Sequence, residues 1–424
     1  MLVRMQKTIL HVDGDSFFAS CEISLNPSLR GKPVVTGMER GIATSMNTEA
    51  KALGIFRGMP VFQIKKLYPQ AIVVNSNYKN YKIFAHRMYE IVRRYTASVE
   101  EYSVDECFAD ITNLSTDPIN TGKEIQQALE KELGVTFSIG IAPTKVLAKI
   151  ASKHQKPNGL TIINFINIES FLHDLPIGKV WGIGPQTTLK IQRLGIRTAL
   201  DFINKSGEWV KDNLSLPQLE TWHELRGTSV YKLHSTKNED EQQSIQSTRT
   251  FPKTTNRNTI FGELSKNVEE VCTRARTAGV ASKKIHYFLK TAEFKYHRQE
   301  IPLTNALSNP SLVLEEIKKT FEHIYEPNLF YRASGVTLSV LVDPDHVSND
   351  LFGSFKRINR WDDVFKAFDK VKKRYGKGML MLGSSMMSTG GQNDVFDQKE
   401  QKTKSVEITN FKNRSRIPFM GEVN

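Results

Sequence analysis

One stretch constrains this chain more than any other: Glu101-Tyr102-Ser103-Val104-Asp105-Glu106-Cys107-Phe108-Ala109-Asp110-Ile111. Adjacent carboxylates at Asp105 and Glu106 interrupt a run that otherwise reads as strand. From Glu106 onward the side chains alternate, with Glu106, Phe108 and Asp110 on one side and Cys107, Ala109 and Ile111 on the other. Acids that open a strand beside a buried face are costly unless a cation or partner neutralises them. A similar setting lies earlier, where Asp13 ends the apolar run Ile9-Leu10-His11-Val12. The two strands are expected to lie side by side and hold Mg²⁺ for phosphoryl or nucleotidyl transfer. Solvated acids in a turn are the competing reading.

At 424 residues the chain has room for two to four domains. Its apolar share of 39% and charged share of 24% are ordinary for a soluble globular protein. No run of apolar residues is long enough to span a membrane, and the N-terminus lacks the apolar core and cleavage site of a signal peptide. Cys21, Cys107 and Cys272 are scattered and form no CxxC pair, so reduced thiols, no zinc site and a cytoplasmic location are expected. The net charge of +13 is densest over 356–424 and nearly absent over 169–244. A basic chain suits a polyanionic partner, against the plainer reading of a soluble protein that is merely basic.

Taken in order, a buried strand over 8–13 leads into a region punctuated by Gly and Pro as far as Asn77. Short strands are expected there at Val34-Val35 and Ile42-Ala43-Thr44, with one short helix capped by Thr48 and ended by Gly54. Helical spacing predicts a helix over Tyr78–Tyr95. After the acidic hairpin come a helix over Gly122–Leu133, a strand over Val135–Ile141 and a helix over Thr144–Lys153. In that last helix Lys145, Lys149 and Lys153 share the face opposite Val146, Leu147, Ile150 and Ala151. They are either a solvated stripe or a phosphate-binding one. A turn at Lys156-Pro157-Asn158-Gly159 precedes a strand over Leu160–Ile163.

A helical segment opens near Phe165–Leu172. Its Val180-Trp181-Gly182-Ile183-Gly184-Pro185 turn suits a helix-hairpin-helix whose backbone N–H groups at Gly182 and Gly184 bind phosphate without reading sequence. A polar linker follows. Strands over Ser247–Thr250, Lys284–Thr291 and Gly335–Val342 then alternate with helices near Gly262–Gly279 and Leu312–Tyr325, giving a second α+β domain. It carries Arg249, Lys253, Arg257, Lys283, Lys284 and Lys290. One more helix spans Trp361–Arg374, and the polar run after Ser384 reads as disordered.

The acids have a specific chemistry open to them. Nucleotidyl transfer with two Mg²⁺ needs carboxylates converging on ions about 4 Å apart, and Mg²⁺ keeps waters, so two or three carboxylates and one carbonyl suffice. Beyond this, the chain resembles the Y family of translesion DNA polymerases, in its UmuC-like branch. His11-Val12-Asp13-Gly14-Asp15-Ser16-Phe17-Phe18-Ala19-Ser20-Cys21-Glu22 is similar to the first signature and Tyr102-Ser103-Val104-Asp105-Glu106-Cys107-Phe108 to the second. Gly41-Ile42-Ala43 through Glu49-Ala50-Lys51-Ala52-Leu53-Gly54 resembles the fingers motif. Pro143 to Ala151 with Lys156 to Gly159 resembles the late palm motif, and Val180-Trp181-Gly182-Ile183-Gly184 the thumb hairpin.

The resemblance implies a multidomain α+β right-hand polymerase. Its parts would be a palm (1–18 and 78–168), small fingers (19–77), a helix-hairpin-helix thumb (169–233), a linker (234–244), a little finger (245–345), and a C-terminal helix with a basic tail (346–424). It further implies that Asp13, Asp105 and Glu106 are catalytic metal carboxylates, with the Gly14 carbonyl as a fourth ligand to two Mg²⁺. Phe18 falls at a steric gate against the sugar C2′, and Lys51 and Lys156 at the triphosphate. Asp15 is expected to be structural. Arg249, Lys253 and Lys284 fall in the little finger, which tracks the duplex backbone with salt-dependent affinity.

Gln392-Asn393-Asp394-Val395-Phe396 resembles a clamp-binding peptide through Gln392, Val395 and Phe396, with chance occurrence as the rival reading. The implied partners are primer-template DNA, dNTPs, a sliding clamp and accessory damage-response (SOS) proteins, with no membrane. The implied activity is template-directed, error-prone lesion bypass in DNA repair. A metal-dependent nuclease and a non-catalytic DNA-binding scaffold are the alternatives.

Overall fold

The computed structural model describes residues 7–234, 243–343, 354–376 and 379–388. These form two compact units that part between 234 and 243. The first unit holds β1 (Ile9–Gly14), β2 (Val34–Thr36), β3 (Ser45–Met46), β4 (Ile72–Val74), β5 (Val99–Ser103), β6 (Glu106–Asp110), β7 (Phe137–Ala142) and β8 (Leu160–Ile162). Five of them make one sheet in the order β5-β6-β1-β7-β8, and the other three a small sheet ordered β3-β2-β4. The labelled helices of this unit are α1 (Phe17–Leu25), α2 (Thr48–Ala52), α3 (Val61–Leu67), α4 (Tyr78–Arg93), α5 (Pro118–Leu133) and α6 (Lys145–His154).

Both faces of the five-stranded sheet are covered, which is why its central strand does not alternate. Leu10 and Val12 face a core built with Tyr81, Phe84 and Met88 of α4 and Ile125 and Leu129 of α5. Ile9 and Phe108 enter a second core with Val146 and Leu147 of α6 and with Ile177, Ile191, Phe202 and Trp222 from the helical segment. Gly140 is what lets α6 lie on β7, since a Cβ there would stand 2.0 Å from the Ala148 carbonyl oxygen. The helical segment comprises Ile168–Leu172, Pro185–Arg193, Ala199–Ile203, Gly207–Asn213 and Leu216–Leu225. Buried Glu224 ties it to α6 by accepting from the backbone N–H groups of Val146, Val230 and Tyr231.

The second unit is an antiparallel sheet of β9 (Ser244–Thr254), β10 (Ala281–Thr291), β11 (Tyr296–Leu307) and β12 (Tyr331–Val342), in the order β11-β10-β12-β9. Helices α7 (Arg257–Thr277) and α8 (Pro310–Thr320) share one core with Ile285, Tyr287 and Leu289 of β10. Both units are therefore α+β.

Several local expectations change. Asn47, not Thr48, caps α2, its side chain accepting from the Ala50 N–H at 3.1 Å. The strand expected at Ile42–Thr44 forms three residues later as β3, leaving Ile42 an isolated bridge to Pro60. Helices α1 and α3 and strands β4 and β11 come in addition. Of the polar run after Ser384 only residues as far as 388 are described, and the rest lies outside the described residues; a helix over Gly383–Met386 packs on α7. Buried Glu269 there accepts from Lys372 Nζ (2.8 Å), the Leu382 N–H (2.9 Å) and Ser385 Oγ (2.5 Å). Arg276 pairs with Asp369 of the preceding helix, Ser354–Tyr375, at 2.7 Å. No helix among the described residues is long and apolar enough to cross a membrane.

Candidate active site

Strands β1 and β6 are antiparallel neighbours with Asp13 opposite Glu106, so the two acids end up side by side at one end of the sheet. Asp105 sits in the tight turn between β5 and β6, and its carbonyl accepts the Gly14 N–H at 2.8 Å. The Asp105 side chain in turn accepts from Ser103 Oγ at 2.6 Å. Two signatures some ninety residues apart are thus joined by a register and one backbone bond. A Cβ on Gly14 would meet the Phe17 ring at 2.7 Å, so the crowding at this strand end favours glycine.

Each buried acid has a cation. Asp13 is paired with Lys156, whose ammonium also stands 3.6 Å from Asp15. Burial nevertheless raises the Asp13 pKa, with Lys156 only partly opposing it. Glu106 is paired with Lys149 at 2.5 Å and with His11 Nε2 at 3.3 Å. Burial opposes ionisation of Glu106, but these two partners outweigh it and bring its pKa to about 2. An ionised carboxylate only accepts, so His11 donates from Nε2, and its Nδ1 faces Ser152 Oγ at 2.7 Å. Burial lowers the His11 pKa, consistent with the neutral ring this bonding needs.

His11, Asp13 and Glu106 offer ligand atoms within 4.8 Å of one another. His11 already spends Nε2 on Glu106, which leaves the carboxylates of Asp13 and Glu106 as the hard oxygen donors of this cluster; the adjacent Asp105 carboxylate is bonded to Ser103 Oγ and is not part of it. Oxygen donors of this kind suit Mg²⁺ better than a softer metal. Asp15 is occupied elsewhere, accepting from Ser138 Oγ and the Asn158 N–H at 2.8 Å each, a structural role as expected.

Phe18 stacks on Tyr81 (4.5 Å between centroids, 10° between planes) and meets Tyr78 edge-on. Beside it is a cleft of about 250 Å³ lined also by Arg40, Thr44, Arg57 and Tyr78. Phe17, by contrast, is a core residue. Lys51 donates to Ser16 Oγ at 2.8 Å in the turn that follows β1. The lysine stripe of α6 divides. Lys145 is buried and bonded to both oxygens of Glu100 at 2.7 Å, Lys149 belongs to the acidic site, and Lys153 is exposed.

In the helical segment Gly182 takes a φ of +91°, which a side chain would strain, while Gly184 precedes the helix Pro185–Arg193 with open space around its Cα. Trp181 donates from Nε1 to the Tyr102 hydroxyl at 3.0 Å, so this hairpin leans on the residue three before Asp105. In the second unit Arg249 is exposed on β9, Lys253 lies over the Phe330 ring, and Lys284 is paired with Glu300 across the sheet at 2.6 Å. Gln392, Val395 and Phe396 lie outside the described residues.

Reading the sequence missed His11, Arg40 and Arg57. His11 had a signal: it sits two residues before Asp13 on a strand, hence on the same face. The arginines had none, because only the fold of 34–74 brings them to Phe18.

Paired acids at the end of a sheet, with an aromatic-lined cleft in the same unit, are an arrangement open to phosphoryl or nucleotidyl transfer. The impB/mucB/samB family matches residues 12–153, and the C-terminal domain of that family matches 242–351. DNA polymerase IV of Bacillus velezensis is 30% identical over 94% of this chain and 95% of its own. DNA polymerase IV of Lactococcus lactis subsp. cremoris is 33% identical over 78% and 94%. Among solved structures, a Y-family DNA polymerase chimera of Dbh and Dpo4 has a TM-score of 0.68 at 23% identity, covering 79% of this chain and 99% of that one. The chain belongs to the impB/mucB/samB family, the Y family of translesion polymerases, and is a DNA-directed DNA polymerase.

Proposed function

We propose that the chain extends a primer 3′ end on a DNA template with dNTPs by two-metal nucleotidyl transfer, and that it is specialised for error-prone bypass of damaged bases. The observation that carries this is the Asp13–Glu106 register with Asp105 bonded to Gly14. Mg²⁺ bound by these acids would supply the charge that activates the 3′-hydroxyl and steadies the triphosphate. Asp13, Asp105, Glu106 and the Gly14 carbonyl would hold it. Lys149 and Lys156 would hold the acids aligned beforehand, and Lys156, at the rim of the site, would turn toward an incoming triphosphate with Lys51. Arg40 and Arg57 add guanidinium groups, which grip phosphate in a bidentate way that a lysine cannot. Phe18, held by Tyr81 and Tyr78, would close on the sugar C2′ and exclude a ribose hydroxyl.

In this reading 1–18 and 78–168 are the palm, 19–77 the fingers, 169–233 the thumb and 245–345 the little finger. Gly182 and Gly184, with Arg249, Lys253 and Lys284, would meet the DNA backbone. The smallness of the 34–74 region, with strands of two or three residues, supports a loose hold on the nascent base pair and hence tolerance of lesions. A tail peptide through Gln392, Val395 and Phe396 would tether the enzyme to a sliding clamp. Incubation with a damaged primer-template, Mg²⁺ and dNTPs, with and without a clamp, tests the reading. Extension past the lesion is expected, and shortening of the primer instead would assign the acids to a nuclease.

A further inference from the structure

At one end of the second unit's sheet, aromatic rings and cations alternate on the surface. Phe294, Tyr296 and Phe330 are 59%, 44% and 48% exposed. They come together because β10 and β11 form a hairpin whose tip carries Phe294, and because the Ala292 N–H donates to the Phe330 carbonyl at 2.7 Å. Lys290 Nζ stands 4.7 Å from the centres of both Phe294 and Tyr296. Arg332 lies 4.6 Å from Phe294, and Arg298 lies 4.9 Å from Tyr296. Phe288 continues the row, edge-on to Tyr296 at 5.2 Å.

Three features of this patch work against the fold taken alone. Phe294 has a φ of +69°, a left-handed conformation that costs any residue with a Cβ and that glycine would adopt freely. The strained ring is then left largely in water, so burial does not offset the strain. Among the described residues, Lys290, Arg298 and Arg332 have no carboxylate partner, in contrast to Lys284, which is paired with Glu300. The left-handed residue closes the hairpin turn, its N–H donating to the Thr291 carbonyl at 3.1 Å; what remains unexplained by the fold is a row of exposed rings flanked by cations that no carboxylate among the described residues neutralises, a surface suited to a polyanion with flat faces.

We propose that this end of the sheet is a stacking platform for unpaired bases of single-stranded DNA. Aromatic faces accept any base, while flanking cations follow the phosphates, so such a surface binds single strands with little regard to sequence. A duplex, its bases already stacked on one another, offers the rings nothing. The inference does not require the carboxylate site, because it concerns binding and not incorporation.

The test uses the full-length protein and three labelled probes without dNTPs: a short oligo-dT, the same oligonucleotide built from abasic sites, and a blunt duplex. The wild type should bind oligo-dT more tightly than the abasic strand, although their phosphates are equal in number. The double variant Phe294→Gly with Tyr296→Ala should lose about tenfold in affinity for oligo-dT, as expected for the loss of stacked bases, and bind the abasic strand and the duplex as before. Phe294→Gly alone relieves the left-handed strain, so its melting temperature should not fall and poor folding cannot mimic the result. Equal wild-type affinity for the dT and abasic strands would overturn the proposal. So would an unchanged affinity of the double variant for oligo-dT, or an equal loss on all three probes.

Discussion

Replacing Lys149 with Met keeps the length of the side chain and removes its charge. Lys149 and Glu106 are largely withdrawn from water, their side chains 7% and 17% exposed. With His11 and Lys149 beside it, Glu106 titrates at about 2 in place of 4.5. That difference corresponds to about 3 kcal/mol of stabilisation at neutral pH. Lys149 is one of two side-chain partners, so its loss should forfeit about 2 kcal/mol and lower the melting temperature of the first unit by about 4–8 °C. Because the carboxylate pKa is depressed in the fold, the stabilisation is fully present above pH 4.5 and fades as the pH falls toward 2. Thermal melts of wild type and Lys149→Met in chelator should therefore differ by a constant amount from pH 7 to about pH 5, and converge below that. Equal melting temperatures at pH 7, or a gap that widens in acid, would refute the assignment of Lys149 as the cation that holds Glu106.

Other expectations follow from the same geometry. Phe18→Ala should admit ribonucleotides in primer extension with rNTPs, whereas unchanged discrimination would dismiss the gate. Lys145→Met leaves Glu100 buried without its cation and should destabilise the first unit by about 3–5 kcal/mol in denaturant titration, although Lys145 touches none of the three acids. Glu269→Ala removes the acceptor of the Leu382 N–H, so that amide should exchange with solvent at least about tenfold faster, and unaltered protection would show that the 379–388 segment is held by other contacts.

The acids were legible because they end apolar strands, a setting that needs a cation to offset its cost, and the structure supplies Lys149 and Lys156. What stayed hidden depended on tertiary neighbours. The α6 stripe looked like a single face, yet Lys145 meets Glu100 from the sheet edge and Lys149 meets Glu106, so spacing alone could not sort them. Strand β11 was missed because it is an edge strand with few buried residues, so its side chains show little apolar alternation. The helix over Gly383–Met386 left no signal, because it docks through serines and backbone groups on Glu269, and polar docking leaves no hydrophobic period.

In the proposed mechanism Asp105, next to Glu106 in sequence and joined to Gly14 by a backbone hydrogen bond, holds metal for nucleotidyl transfer. Asp105→Asn preserves the shape and the backbone acceptor while removing the charge. Single-turnover primer extension with saturating Mg²⁺ and dNTPs measures it most directly, with DNA affinity recorded alongside. Extension should fall by about a thousandfold or more while primer-template affinity is unchanged. Extension at the wild-type rate would contradict that role.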